Sequence, residues 1–164
     1  MLEQKTLNAL RWIIGIINKK NVPYQISGGF AAKLYGSKRA VNDIDIDLPE
    51  NRFADILTEV KPYIVSGPAH YQDGKWDLQL MTLNFNGQEI DISGALETKI
   101  SNKKRTEWIA IPADLSNTIK MNVGDLVVNL TPPERMISYK QHLDGDHQTE
   151  DIKAMKKYIA KLSQ

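Results

Sequence analysis

Cysteine is absent from the 164-residue chain. That excludes a disulfide scaffold, a thiolate zinc site and a cysteine nucleophile. Histidine is scarce. Only His70, His142 and His147 occur, and the last two lack the i, i+4 spacing of a helical zinc pair. Aromatic residues make up 7% and are scattered, so no stacking platform for single-stranded nucleic acid is legible. Neither sign of charge dominates. The 21 basic and 20 acidic residues leave a net charge of +1, which gives no global attraction to nucleic acid or membrane. Long apolar runs are also missing. Trp12-Ile13-Ile14 is soon broken by Asn18-Lys19-Lys20, far short of the roughly 20 residues of a spanning helix. The start does not read as a signal peptide, and a cytoplasmic location without membrane attachment is expected.

What remains has an ordinary globular balance, with 41% hydrophobic and 25% charged residues. A chain this long buries roughly 70% of its unfolded surface and needs no staples. One domain over 1–164 is expected, with a core over about 1–125 and a C-terminal helical pair over about 131–163. Leu7, Leu10, Ile13, Ile14 and Ile17 recur at helical spacing and predict a helix over 3–19. A strand over 22–27 and a short helix over 30–35 follow. Asp43 to Leu48 alternates acidic and apolar residues, a period-two strand signal. A helix begins near Leu48-Pro49, with Asp47 and Glu50 at capping-box spacing. Asn86-Gly87 predicts a hairpin between strands over 76–85 and 89–93. Two or three strands are expected between 94 and 130. Thr131-Pro132-Pro133-Glu134 opens a helix with a second capping-box spacing. A last helix carries Ile152, Met155, Ile159 and Leu162 on one face. The fold class is α+β, a mixed sheet flanked by helices.

The sharpest feature is Asp43-Ile44-Asp45-Ile46-Asp47-Leu48. On a strand the three aspartates share one face and the apolar residues the other. Carboxylates two residues apart are separated by about 6.6 Å and repel by roughly 2.5 kcal/mol at an effective dielectric near 20. A hard divalent cation such as Mg²⁺ relieves that repulsion, whereas a plain solvated strand relies on salt screening. Asp47 has a structural use as a helix cap, so Asp43 and Asp45 are the favoured ligand pair, with Asp47 in reserve. An EF-hand is excluded, since its sixth position is Leu48 and its twelfth Ala54.

Ser27-Gly28-Gly29 lies between a predicted strand and helix, where glycines let backbone approach an anion closely. It fits neither a P-loop nor a dinucleotide fingerprint. Ile90-Asp91-Ile92 places a third carboxylate on the return strand of the hairpin. A phosphate-cradling turn, a carboxylate pair and a further carboxylate are the parts of metal-assisted phosphoryl or nucleotidyl transfer.

These residues resemble the nucleotidyltransferase superfamily of the polymerase-beta type. Its pattern of Gly-Gly, Asp-x-Asp and a later apolar-Asp-apolar strand is met by Gly28-Gly29, Asp43-Ile44-Asp45 and Ile90-Asp91-Ile92. Arg39-Ala40-Val41-Asn42-Asp43-Ile44-Asp45 resembles the Arg-x-Thr-x-Asp-Ile-Asp run of its lincosamide/aminoglycoside nucleotidyltransferase-like and AbiEii-type branches, with Val41 at the threonine position. Ser27 replaces the hydrophobic residue usual before the glycines. Tyr139-Lys140 and Asp151-Ile152 resemble the C-terminal helices of the family.

The resemblance implies a nucleotidyltransferase-like mixed sheet and one or two Mg²⁺ ions held by Asp43, Asp45 and Asp91. Asp91 would also take a proton from the attacking hydroxyl. It implies an NTP donor such as ATP, bound by Ser27, Gly28, Gly29, Arg39 and Lys140. The acceptor stays open among a small molecule, a tRNA end and a protein, as do the base of the nucleotide and the oligomeric state. Two rival readings are a non-catalytic nucleotide-binding or partner module on the same fold, and a glycosyltransferase with an Asp-x-Asp metal site. Lys99, Lys103, Lys104 and Arg105 form a basic segment, read as a solvated hairpin tip ahead of a polynucleotide contact.

Overall fold

The computed structural model describes residues 2–164. Helix α1 (Gln4–Lys19) buries Ala9, Leu10, Ile13, Ile14 and Ile17, the stripe that its periodicity predicts. Strand β1 (Gln25–Ser27), helix α2 (Gly28–Leu34) and strand β2 (Asp43–Leu48) follow. A 3₁₀ turn over Glu50–Arg52 leads into α3 (Phe53–Val60). Seven further strands come next: β3 (Ile64–Gln72), β4 (Trp76–Phe85), β5 (Gln88–Gly94), β6 (Lys99–Ser101), β7 (Trp108–Ala110), β8 (Ile119–Val123) and β9 (Leu126–Leu130). Helices α4 (Pro133–Lys140) and α5 (Asp146–Leu162) close the chain. None of the helices described is long and apolar enough to cross a membrane.

The strands form one nine-stranded mixed sheet. Its central order is β3-β4-β5-β2-β1-β9-β8, with β6 beside the first residues of β4 and β7 paired to β6. The pairs β2/β5 and β1/β9 are parallel, and their other neighbours antiparallel. The fold is therefore α+β, as expected.

The two-residue turn at Asn86-Gly87 takes φ values of 49° and 91°, the left-handed pair that a tight hairpin requires. It fixes Phe85 opposite Gln88, and so Thr82 opposite Asp91. Alternation then sorts the side chains. Ile44, Ile46 and Leu48 of β2, Ile90 and Ile92 of β5, and Met81 and Leu83 of β4 are fully buried in the core with the α1 stripe. Each buried isoleucine contributes about 1.5–3 kcal/mol, which offsets the strain of an acidic face opposite. The same cluster reaches Phe30, Met136 and Met155 of α2, α4 and α5.

Several expectations fail for physical reasons. Strand β3 was not anticipated, because this edge strand is exposed along nearly its whole length and carries Gly67-Pro68 between register shifts. Between 94 and 130 four strands form rather than two or three, two of them only three residues long. Neither capping box closes. Asp47 bonds to β1 instead, Glu50 accepts from the amides of Leu96 and Glu97 at 2.9 and 2.8 Å, and the Thr131 hydroxyl donates to the Ile26 carbonyl at 3.0 Å. The buried face of α5 is Gln148, Asp151 and Met155, while Leu162 is exposed. That face is rotated from the expected apolar stripe toward two polar groups.

Candidate active site

Strand pairing builds the site. Parallel register sets Asp45 of β2 directly beside Asp91 of β5, with Asp43 beside Glu89 and Asp47 beside Ser93. Asp43, Asp45 and Asp91 each present a carboxylate oxygen, and these oxygens all lie within 4.8 Å of one another. Octahedral Mg²⁺ at about 2.1 Å holds its ligand oxygens roughly 3–4 Å apart, so the donor set fits a hard cation by chemistry and spacing. Among the described residues, no lysine or arginine forms an ion pair with any of the three; the buried pairs Arg39–Asp151 and Lys140–Asp151 lie elsewhere.

The electrostatics record that lack. Burial pushes the Asp45 carboxyl well above its ordinary range, and Asp43, Asp91 and Asp47 push it further. Asp91 rises to about 6, mainly through burial. The Thr82 hydroxyl, donating to its Oδ1 at 2.7 Å, opposes that rise, while Glu89 and Asp43 add to it.

Asp47 stands apart from the three. The Gln25 amide donates to its Oδ2 at 2.8 Å and the Ser27 hydroxyl to its Oδ1 at 3.0 Å. Burial raises it to about 6 in spite of these bonds.

The glycine turn has a steric explanation. Gly28 has φ +62°, and a Cβ there would collide with the Asp45 carboxylate. A Cβ on Gly29 would collide with the Arg39 guanidinium. The amide of Gly28 donates to the Tyr139 hydroxyl at 3.0 Å, and Tyr139 meets Trp76 edge-on at 6.4 Å.

Arg39 and Lys140 converge on a residue that sequence reasoning noted only for its resemblance. Asp151 is fully buried. Arg39 donates to it through Nη2 at 2.7 Å and Nε at 3.2 Å, Ser37 through its hydroxyl at 2.7 Å, and Lys140 Nζ lies 3.2 Å away. Lys140 also donates to Gln148 Oε1 at 2.8 Å. Arg39 is thus held by Asp151 rather than solvated as a loop charge, and Lys140 is buried. Burial alone would raise Asp151, but the bonds from Arg39 and Ser37 and the Lys140 charge hold it below its ordinary value. Burial lowers Lys140, and Asp151 partly restores it. The legible signal was the spacing 148, 151, 155 on one helical face.

All the expected site residues line one cleft of about 670 Å³: Ser27, Gly28, Gly29 and Arg39 with Asp43, Asp45, Asp91 and Lys140. That volume suits a small-molecule substrate pair. Of the basic segment, Lys99 starts β6, Lys103 and Lys104 are exposed in the turn that follows, and Arg105 pairs with Asp144 at 2.9 Å. None of the four lines the cleft.

No protein-family model matches this chain, and neither does any curated protein. Solved structures do. A candidate nucleotidyltransferase from Thermotoga maritima superposes with a TM-score of 0.72 at 19% identity, covering 98% of this chain and 96% of that one. The antibiotic-resistance factor ANT(2″)-Ia, in complex with adenylyl-2″-tobramycin, gives 0.63 at 13% identity over 96% and 91%. The lincosamide antibiotic adenylyltransferase LnuA, with lincomycin bound, gives 0.59 at 16% identity over 91% and 95%. The sheet that sets three carboxylates at one point of a cleft is therefore the nucleotidyltransferase fold.

Proposed function

We propose that this chain is a Mg²⁺-dependent nucleotidyltransferase that moves an NMP from an NTP to an acceptor hydroxyl and releases pyrophosphate. One observation carries the reading: three carboxylates are gathered within 4.8 Å, and among the described residues none of them is in an ion pair. Asp43, Asp45 and Asp91 hold the metal. When bound, Mg²⁺ supplies positive charge to the polyphosphate and to the charge that develops on transfer.

The other roles belong to the chain itself. Asp91, the only member of the three on β5, accepts the proton of the attacking hydroxyl. The turn at Ser27-Gly28-Gly29 offers a backbone without side chains beside Asp45, where phosphates approach. Arg39 and Lys140 border the same cleft from the Asp151 network and add fixed positive charge without flexible side chains to immobilise. Residues 1–164 act as one unit, since α4 and α5 supply Lys140 and Asp151 to a site founded on β2 and β5. The adenylylated products and adenylyltransferase activity named for two fold neighbours support ATP as the donor and a small-molecule acceptor.

The test is a calorimetric titration of the four NTPs with and without Mg²⁺. Mg²⁺-dependent binding of one NTP, lost in Asp43→Asn and Asp45→Asn, is the expected result. Nucleotide binding with no turnover on any acceptor supports the non-catalytic module instead. Transfer that survives both substitutions refutes the assignment.

A further inference from the structure

The two sides of the carboxylate cluster differ in chemistry. On the β1 side stands the Ser27-Gly28-Gly29 turn. On the other side the cleft face continues through β5 onto β4. Thr82 pairs with Asp91 and Leu80 with Ser93, so Leu80, Leu78 and Trp76 extend the face that carries Asp91. Strand β3 widens it, with Tyr71 opposite Leu78. All four of these aromatic and aliphatic residues line the cleft, as do Ile111 and Pro112.

The charges of the lining are segregated, with its carboxylates all on β2 and β5. Beyond Asp43, Asp45, Asp47 and Asp91, no carboxylate borders the cleft among the described residues. Four cations do: Arg39, Lys75, Arg135 and Lys140. Two of them are tied to Asp151. Arg135 donates to the Pro112 carbonyl at 2.8 Å. Lys75 begins the Trp76 side of the cleft; among the described residues its ammonium group is in no direct ion pair, and its charge acts on Asp73 only at longer range. The adjacent Asp73 lies outside the lining and already accepts the Tyr71 hydroxyl at 2.9 Å and the amides of Lys75 and Trp76 at 2.7 Å. The field also reaches His147 in the lining, which burial, Arg39 and Lys140 together push below its ordinary value.

From this arrangement we infer that the acceptor is a hydroxyl compound with a flat apolar body and an anionic group, seated on β3 and β4 with its anion at Lys75. The inference rests on the nucleotidyltransferase reading and names the substrate class of the same site. With Asp43, Asp45 and Asp91 engaged by metal, and both oxygens of Asp47 bonded to Gln25 and Ser27, a polycationic amino sugar meets four cations and no unengaged carboxylate, which is discrimination by repulsion as much as by attraction. The Asp91 side is where the hydroxyl must arrive, since Asp91 takes its proton. Its oxygen forms a bond to the α-phosphorus, the bond from that phosphorus to the bridging oxygen breaks, and pyrophosphate leaves with the electron pair.

The experiment uses three probes in Mg²⁺ without nucleotide: 4-hydroxyphenylacetate, its uncharged amide and the polyamine tobramycin. Binding is followed by the Trp76 indole NMR signal. The acid is expected to bind about tenfold more tightly than the amide. Lys75→Glu abolishes that preference and Lys75→Arg keeps it. With Mg²⁺ and the cognate NTP, mass spectrometry finds the NMP on the hydroxyl of the acid. Tighter binding of tobramycin than of the acid overturns the inference. So does a Lys75→Glu variant that weakens Mg·NTP binding while leaving the acid preference intact, or Mg·NTP binding without transfer to the acid. Acid binding with no Mg·NTP binding instead overturns the transferase reading, and the acceptor role with it.

Discussion

Two acidic regions, one half-buried in the cleft and one fully buried behind it, are treated in opposite ways. Asp151 is fully enclosed, yet Ser37, Arg39 and Lys140 surround it, and its carboxyl is held below the ordinary range. Asp43, Asp45 and Asp91 crowd one another, and Asp45 and Asp91 are raised above that range. The chain had both solutions at hand. It neutralised the carboxylate that fastens α5 to the α2–β2 loop and left the strand carboxylates open. A buried charge balanced from within serves architecture; one left unbalanced is stabilised by something from outside.

The largest effect should come from breaking the balanced side. Asp151→Ala leaves the buried Lys140 and the half-buried Arg39 without a counter-charge, at a cost of about 3–5 kcal/mol, read as a lower urea midpoint with unchanged m-value. Asp45→Asn has the opposite character. It removes repulsion, so the metal-free protein should become more stable at pH 8, while nucleotidyl transfer falls about 100- to 1,000-fold, equivalent to roughly 3–4 kcal/mol. Thermal melts and pyrophosphate release on the same sample separate the two consequences. A loss of both stability and transfer would erase the contrast with Asp151.

Mg²⁺ should sharpen the comparison next. At a hundredfold excess over its dissociation constant it adds about 2.7 kcal/mol, and that gain depends on pH. Asp47 and Asp91 move from 3.8 to about 6 on folding and Asp45 well above 3.8. The charged forms are therefore disfavoured in the fold, and the metal-free protein loses stability as pH rises from about 4 through 6. The melting-temperature gain from Mg²⁺ is then smaller at pH 5 than at pH 8. Asp151 runs the other way, contributing above its ordinary pKa and losing that contribution as pH falls below it. The smallest effect is that of Gly28→Ala. The left-handed backbone costs about 1–2 kcal/mol, and the new methyl displaces the Asp45 carboxylate. Transfer in this variant should drop more than stability does.

The open region was legible in the sequence and the balanced one was not. Alternation over Asp43–Leu48 and the Asn86-Gly87 turn suffice to put Asp43, Asp45 and Asp91 on one face, because strand periodicity and turn length are local properties. Register across β2 and β5 is not local, yet the buried isoleucines on both strands allow only one phase. Asp151 was hidden for the converse reason. Its partners lie 112 residues away at Arg39 and 114 away at Ser37, and no periodicity announces a contact of that span. Asp47 shows the limit of local rules. Its spacing to Glu50 fits a helix cap, but β1 supplies Gln25 and Ser27 as nearer partners. Strand β3 escaped because an exposed edge strand has no core face to impose alternation.

The hairpin turn at Asn86-Gly87 has a consequence for how this chain tolerates change. Pairing runs without slippage from Phe85–Gln88 at the turn to Thr82–Asp91 at the site, so the turn acts as the zero mark of a ruler. One added residue carried into β5 would shift the reading by one, sending Asp91 into the apolar layer and an isoleucine into the cleft. Insertions at the β6–β7 tip meet no such constraint, since its residues 103–105 lie outside the cleft lining. Length variation should be open at that tip and closed at Asn86-Gly87, even though both are solvent-facing turns.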